Sequence, residues 1–143
     1  MVLNSDEILL FGSCQKSTSR EGNTFCAKME DGGRTMEFLS WIGPEYAGNG
    51  FNIMPQALRR GDGTIVCFVR SQETVSKDIF PRGEIYYISQ YESTDEGKTW
   101  VYAGNPVMHH GGNPPAPAIM KDGTWVLVYG YRKRPFGIRC KYR

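Results

Sequence analysis

The stretch Ser93-Thr94-Asp95-Glu96-Gly97-Lys98-Thr99-Trp100 is the most specific pattern in this 143-residue chain. An aspartate at its third position can accept hydrogen bonds from the amides of its own turn, and Gly97 permits backbone angles that other residues avoid. Trp100 supplies a large apolar anchor directly after the turn. The stretch therefore predicts a tight turn that ends on a buried tryptophan.

A weaker copy of this pattern lies upstream, at Met29-Glu30-Asp31-Gly32-Gly33-Arg34-Thr35-Met36. It keeps Asp31, Gly33 and Thr35 but replaces both Ser and Trp by Met. A second pattern, an acidic turn followed by an apolar run, interleaves with the first. Its copies begin at Asp62-Gly63 and Asp122-Gly123, with a weaker one at Asp6-Glu7. The interleaving predicts a repeated order of strand, turn, strand and turn.

The apolar runs between these turns are short and rich in β-branched and aromatic residues, and Gly, Asp, Asn or Pro bounds them, which is typical of strands. No segment carries the i, i+3, i+4, i+7 apolar stripe of a helix. The chain is therefore predicted to be all-β. We place strands at 7–14, 23–29, 36–42, 53–59, 64–70, 84–92, 99–104, 116–120, 124–131 and 137–142.

With these elements in place, the stretch 93–100 resembles the Asp box, S-x-D-x-G-x-T-W, and matches it at every fixed position. The chain is thus similar to the sialidase-like Asp-box (BNR repeat) family of β-propellers, and the segment from Gly112 to Arg139 also looks like one of their blades. The resemblance implies that the box is structural, a turn between the two outer strands of a blade. It gives this role to Ser93, Asp95, Gly97, Thr99 and Trp100, and in the weaker copy to Asp31, Gly33 and Thr35.

The expected fold is a partial β-propeller of four-stranded antiparallel blades. Ten strands at four per blade make about two and a half blades, fewer than the 4 to 8 of a closed propeller. We expect one segment with blade-like units at about 1–48, 49–108 and 109–143. The continuous apolar runs 8–11, 65–69 and 125–129 suggest strands covered on both faces. Exposed blade faces invite association, so we expect a dimer or trimer, or completion by a partner segment.

Arginines near the ends of predicted strands are the first candidates for ligand binding, because the guanidinium fork matches a carboxylate. The resemblance implies three such arginines, a tyrosine nucleophile, a glutamate and an acid/base aspartate. Each candidate also has a purely structural interpretation, in which the charged residues are solvated in loops and the aromatic residues pack in strands. The candidates are Arg70, Arg132 and Arg134 for an anion, Tyr131 as a pocket residue, and His109, His110 and Asn113 for sugar hydroxyls.

Two functions stay open at this point. The R-I-P motif that introduces the first arginine of typical sialidases is missing, as is the blade that carries their acid/base aspartate, so no catalytic residue is assigned. The first function is a non-catalytic, oligomeric sialidase-like module that binds a carbohydrate. The alternative is a glycoside hydrolase, a sialidase-like exoglycosidase, whose site is completed by oligomerisation or by a partner segment.

Composition narrows the partners further. The 17 basic and 15 acidic residues are scattered, which argues against nucleic acid. No apolar run approaches the roughly 20 residues of a membrane span, and no secretion signal opens the chain, so we expect a soluble, cytoplasmic protein. The four cysteines show no C-x-x-C spacing, and neither a metal nor a cofactor is expected. Cys26, Cys67 and Cys140 are expected to be buried free thiols.

Overall fold

The computed structural model describes residues 1–18, 21–44, 50–78, 83–109 and 113–142. The chain is all-β there, and each of the ten predicted strands is present. Within these ranges the one helical element is a single 3-10 turn at Asp31–Gly33, which is far too short to span a membrane. The strands are β1 (Ile8–Gln15), β2 (Gly22–Glu30), β3 (Thr35–Ile42), β4 (Gly50–Arg59), β5 (Ile65–Thr74), β6 (Glu84–Ser93), β7 (Val101–Met108), β8 (Pro115–Ile119), β9 (Trp125–Tyr131) and β10 (Gly137–Tyr142).

Three strands differ from their predicted ranges by three or more residues at one end. β5 runs to Thr74 rather than ending at 70. β4 begins at Gly50 rather than 53, and β7 runs to Met108 rather than ending at 104. β4 and β7 each contain an irregularity in their pairing, beside Met54 in β4 and beside Gly104 in β7, and both of these residues have positive φ. A strand can continue past such a bulge, so a residue that looks like a strand end in the sequence can lie inside a longer strand.

The strands form three consecutive antiparallel meanders. β4 to β7 make a complete four-stranded blade, whereas β1 to β3 and β8 to β10 supply three strands each. One parallel pair, Gly22 with Phe51, joins the first meander to the second. The fold is a partial β-propeller, and we call the meanders the first, second and third blades.

The two ends of the blades differ. The Asp-Gly turns and the 93–100 turn lie at one end, which we call the turn end. The strands that end at Gln15, Ile42, Thr74, Met108 and Tyr131 finish at the opposite end, which we call the loop end. In loop-bearing scaffolds such ends commonly hold binding residues.

Side chains from β5 fill both seams between blades. Its odd-numbered residues enter one cluster with the first blade, and its even-numbered residues enter another with the third. The prediction that 65–69 is covered on both faces is therefore confirmed. For 8–11 and 125–129 it is wrong, because Ile8, Leu10 and Val128 are exposed on outer faces that no blade covers. The first cluster contains Leu9, Cys26, Ile42, Ile65, Cys67 and Val69; the second contains Val66, Phe68, Ile88, Val107 and Leu127.

The 93–100 turn is held by its own side chains. Ser93 Oγ donates to Asp95 Oδ1 at 2.8 Å and accepts from Gly97 N at 2.9 Å. Asp95 also accepts from the amide and the hydroxyl of Thr99, at 2.9 and 2.6 Å. Trp100 Nε1 donates to Ser40 Oγ at 3.0 Å, which ties the turn to the first blade.

The weaker copy forms a looser turn. Within the described part of the chain, the side chain of Asp31 makes none of the hydrogen bonds that Asp95 makes, and Asp31, Gly32 and Gly33 all have positive φ. Gly33 lies beside Met29, and Thr35 pairs with Glu30 in the ladder. The turn thus forms without the side-chain lock that Ser93 and Asp95 provide.

The cysteines are free thiols with two kinds of surroundings. Cys26 and Cys67 are buried, as expected, and burial raises the pKa of the Cys26 thiol to about 11. The expectation for Cys140 is wrong: its side chain lies on a face of β10 that no other described strand covers, and it is exposed.

Candidate functional site

Arg70 points into the seam between the second and third blades, near the loop end. It is paired across the sheet with Ile53 on one side and Ile88 on the other. Cross-strand partners share one face of a sheet, and Ile88 packs in the cluster that contains Leu127 of the third blade. The register of three strands therefore aims Arg70 at the third blade.

The Arg70 side chain lies between two aromatic rings. Its guanidinium carbon is 5.0 Å from the Phe51 ring centroid and 5.8 Å from that of Tyr86, within the range of cation–π attraction. Nη1 donates to Met54 Sδ at 3.6 Å, a weak acceptor. Nε is buried and has no hydrogen-bond partner among the described residues. The guanidinium is therefore held in place while its Nε–H donor remains unused.

Arg132, directly after β9, adds a second positive charge. Burial lowers the pKa of the Arg70 guanidinium; Tyr86 opposes this shift, and repulsion from Arg132 adds to it. Among the described residues, neither arginine has a carboxylate within ion-pair distance. Two neighbouring arginines without a counter-ion suit an anionic ligand.

A tyrosine–glutamate pair lies beside Arg70. Tyr86 Oη donates to Glu84 Oε2 at 2.9 Å, and the Tyr86 carbonyl accepts from the amide of His109 at 2.8 Å. The site thus combines cations, an aromatic wall and one hydrogen-bonded carboxylate. We call Phe51, Arg70, Glu84, Tyr86 and Arg132 the arginine cleft.

The other predicted residues are placed as follows. Arg134 is exposed, and no described contact joins it to Arg70. The guanidinium of Arg139 lies 3.4 Å from the ring centroid of Tyr131, so that face of the ring is occupied. The side chain of Asn113 packs where a Cβ on Gly130 would project. His109 adjoins Tyr86 through its backbone, and His110 lies outside the described residues.

Sequence reasoning missed Phe51 and Met54 as neighbours of Arg70. Phe51 precedes the predicted start of β4 at 53, so its place in the strand was hidden. Met54 lay within the predicted strand, but the irregular pairing around it was not foreseen. Glu84 and Tyr86 were visible as an i, i+2 pair at a strand start, which puts both side chains on one face. Their proximity to Arg70 depends on the register between β5 and β6.

An open groove of about 510 Å³ lies between the first and second blades. The rings of Tyr91 and Tyr102 contact each other there, with centroids 5.7 Å apart, and the Tyr87 hydroxyl donates to Glu73. None of the described residues that line it is cationic. Because the groove offers no described cation, whereas the arginine cleft holds two arginines, the arginine cleft is the stronger candidate for an anionic ligand.

Comparison with solved structures places this geometry in a known fold. A protein of unknown function from Dyadobacter fermentans superposes with a TM-score of 0.71 at 18% identity, over 95% of this chain and 34% of that one. An α-L-arabinofuranosidase from Fusarium graminearum, solved with an iminosugar inhibitor, gives 0.67 at 17% identity, over 96% and 41%. The same enzyme with arabinobiose gives 0.54 at 17% identity, over 94% and 41%.

These likenesses concern the fold. Neither a protein-family model nor a curated protein sequence matches the chain. The chain spans roughly a third to two-fifths of the length of the structures named above. It therefore has the fold of part of a β-propeller, and the arginine cleft lies in the seam between two of its blades.

Proposed function

We propose that this chain is a carbohydrate-binding propeller module that recognises the carboxylate of an acidic sugar in the arginine cleft. The observation that carries the proposal is Arg70, whose buried Nε lacks a partner among the described residues and whose guanidinium is fixed between Phe51 and Tyr86. A preorganised guanidinium loses little conformational freedom when it binds a planar carboxylate. The resemblance of 93–100 to the Asp box of sialidase-like proteins supports the same ligand class.

The roles within the cleft follow from their chemistry. Arg70 and Arg132 attract and orient the carboxylate, and charge-assisted hydrogen bonds of this kind are about twice as strong as neutral ones. The rings of Phe51 and Tyr86 offer an apolar surface to the sugar ring. Glu84 holds the Tyr86 hydroxyl and can accept a hydrogen bond from a sugar hydroxyl.

Calorimetric titration of the chain with N-acetylneuraminic acid and galacturonic acid, against galactose as the neutral reference, tests the proposal. We expect the acidic sugars to bind and the neutral one to bind at least tenfold more weakly. Arg70→Gln should lower affinity for the acidic sugars tenfold or more, because a charged hydrogen bond contributes about 1.5–3 kcal/mol.

Arg34→Gln is the matched control. It removes the same charge from an exposed position at the turn end, next to the 3-10 turn, and should leave affinity within about twofold. Equal binding of acidic and neutral sugars would contradict the carboxylate assignment. An equal loss with Arg34→Gln would show that net charge, rather than the cleft, attracts the ligand.

A second candidate function is glycoside hydrolysis, favoured by the Tyr86–Glu84 hydrogen bond of 2.9 Å beside Arg70. Sialidases use a tyrosine nucleophile, and the Fusarium structural neighbour is an α-L-arabinofuranosidase. Fluorogenic sialoside and α-L-arabinofuranoside substrates distinguish the two functions. Turnover that Tyr86→Phe abolishes would favour the hydrolase, whereas binding without turnover favours the module.

A further inference from the structure

Three tyrosines line one wall of the groove between the first and second blades. Tyr91 is paired across the sheet with Cys67 on one side and with Tyr102 on the other, and Tyr87 lies four residues before it on β6. Cross-strand partners share one face of a sheet, as do residues an even number apart on one strand. Because Cys67 packs in the cluster with the first blade, all three tyrosines face that blade.

Two of these rings form a continuous aromatic surface. Tyr91 and Tyr102 are in contact, and Tyr91 is buried while Tyr102 is 55% exposed. Both rings belong to the same wall, so they do not surround a space as the rings of a cation-binding cage would. They instead offer an apolar surface on which the CH groups of a ring-shaped ligand can pack.

The opposite wall is fixed against this surface. Gly43 directly follows β3 of the first blade, and a Cβ there would lie 2.8 Å from Tyr91 Oη and 2.5 Å from Asn52 Nδ2. At the turn end of the groove, Trp100 Nε1 donates to Ser40 Oγ of the first blade. The groove is thus preformed, which limits the conformational freedom lost on binding.

Hydrogen-bond acceptors lie beside the aromatic surface. Tyr87 Oη donates to the carboxylate of Glu73 at the loop end, and a carboxylate has lone pairs for further donors. Asn105 Oδ1 is buried, and no described residue donates to it. Such an unused acceptor is costly, and the terminal torsion of asparagine is soft, so a turn of the amide can bring the oxygen to a ligand hydroxyl.

The groove has one further property, which is its charge. None of the described residues that line it is cationic, so nothing there selects an anion. All of those residues fall between 41 and 105, so both walls come from blades that this chain itself contributes. We call Glu73, Tyr87, Tyr91, Tyr102 and Asn105 the tyrosine groove.

We propose that the tyrosine groove binds a chain of neutral sugar residues. An aromatic surface packs on the CH face of a sugar ring, and the two acceptors take hydrogen bonds from its hydroxyls. The volume of about 510 Å³ lies within the range of about 300–1,000 Å³ that is typical of ligand sites. Tyr87 and Tyr91 are four strand residues apart, about 13 Å, so more than one linked ring can lie along the groove.

The tyrosine groove and the arginine cleft lie on opposite faces of the same two strands. Along β5 and β6, Arg70 and Tyr86 face the third blade, whereas Glu73 and Tyr87 face the first. The two sites share no residue. Binding of neutral sugars therefore does not depend on the proposed carboxylate site, and failure of one leaves the other standing.

Calorimetric titration with neutral tetrasaccharides of glucose, galactose, mannose and arabinose tests the proposal. We expect at least one of them to bind, and galactose itself to bind at least tenfold more weakly, because a single ring fills only part of the groove. Absence of binding by every tetrasaccharide would overturn the proposal. Binding of tetramethylammonium without any of them would also overturn it, because the groove would then be a cation site.

Two substitutions locate the neutral sugar. Tyr102→Ala removes the exposed ring and Glu73→Gln removes the charge of an acceptor, and each should lower affinity for the bound tetrasaccharide by about tenfold or more. Tyr142→Ala is the matched control, because Tyr142 is 74% exposed on β10 of the third blade, and it should leave affinity within twofold. All three side chains are exposed, so circular dichroism should show unchanged folding. An equal loss with the control, or no loss with either groove variant, would overturn the proposal.

Crossing the variants with acidic and neutral ligands separates the two sites. Arg70→Gln should leave affinity for the tetrasaccharide within twofold, and Tyr102→Ala should leave affinity for N-acetylneuraminic acid within twofold. If Arg70→Gln lowers both affinities alike, the neutral sugar binds in the arginine cleft and the assignment to the tyrosine groove is wrong. If the tetrasaccharide binds and the acidic sugar does not, the proposed function fails while the tyrosine groove stands.

Discussion

Asp95 is the residue on which the 93–100 turn depends. Its carboxylate accepts hydrogen bonds from Ser93 Oγ and from the hydroxyl and amide of Thr99. The bonds from Thr99, with a smaller contribution from Ser93, lower the pKa of Asp95 to about 2. We expect Asp95→Ala to destabilise the chain by about 1–2 kcal/mol at pH 7, since each net hydrogen bond contributes about 0.5–1.5 kcal/mol.

The pH dependence has a defined sign. A carboxylate whose folded-state pKa is depressed stabilises the fold above its unfolded pKa of about 3.9, and this contribution is lost as pH falls toward the folded value. The gap between parent and Asp95→Ala should therefore be constant above about pH 5 and shrink between pH 4 and 2 in urea unfolding. Asp31→Ala, on the weaker copy, should change stability by less than about 0.5 kcal/mol. A gap that persists at pH 2 would mean that the ionised carboxylate is not what stabilises the turn.

Substitution of two turn glycines can distinguish the cost of backbone strain from the cost of a steric clash. Gly97 and Gly123 both have positive φ, at 82° and 86°. A Cβ on Gly97 would lie 2.7 Å from Cys26 Sγ in the adjoining blade, whereas one on Gly123 would meet nothing within 4 Å. Gly123→Ala should cost about 1–2 kcal/mol from the left-handed backbone.

Gly97→Ala should cost more than Gly123→Ala by about 1–3 kcal/mol, the usual cost of overpacking. Urea unfolding of both variants at one protein concentration measures the difference. Equal losses would show that the 93–100 turn moves away from Cys26 at no cost, and that the first and second blades are not tightly joined there.

The elements were predictable because their signals are local. Asp122-Gly123 and the runs on either side of it specify a hairpin within a few residues. The bulges could not be predicted, because the irregular pairing at Met54 and Gly104 depends on how each strand aligns with its neighbours in the sheet. The candidate site shows the same division. Arg70, Arg132 and Arg134 were candidates because they lie near the ends of predicted strands, but Phe51 reaches Arg70 only through the register of β4 against β5.

At the scale of the whole molecule, the reactivity of the four thiols can show which surfaces are buried. Cys26 and Cys67 are buried in the seam between the first and second blades, while Cys14 and Cys140 are exposed. Since the thiolate is the reactive form, the pKa of about 11 that burial gives Cys26 slows its reaction further. In dilute solution we expect two thiols to react quickly with a disulfide reagent, and the other two only after unfolding.

The Cys140→Ser variant tests this assignment, because it should remove one of the fast-reacting thiols and leave the slow phase unchanged. Fast reaction of Cys26 or Cys67 under native conditions would mean that the seam between the first and second blades opens without unfolding of the chain.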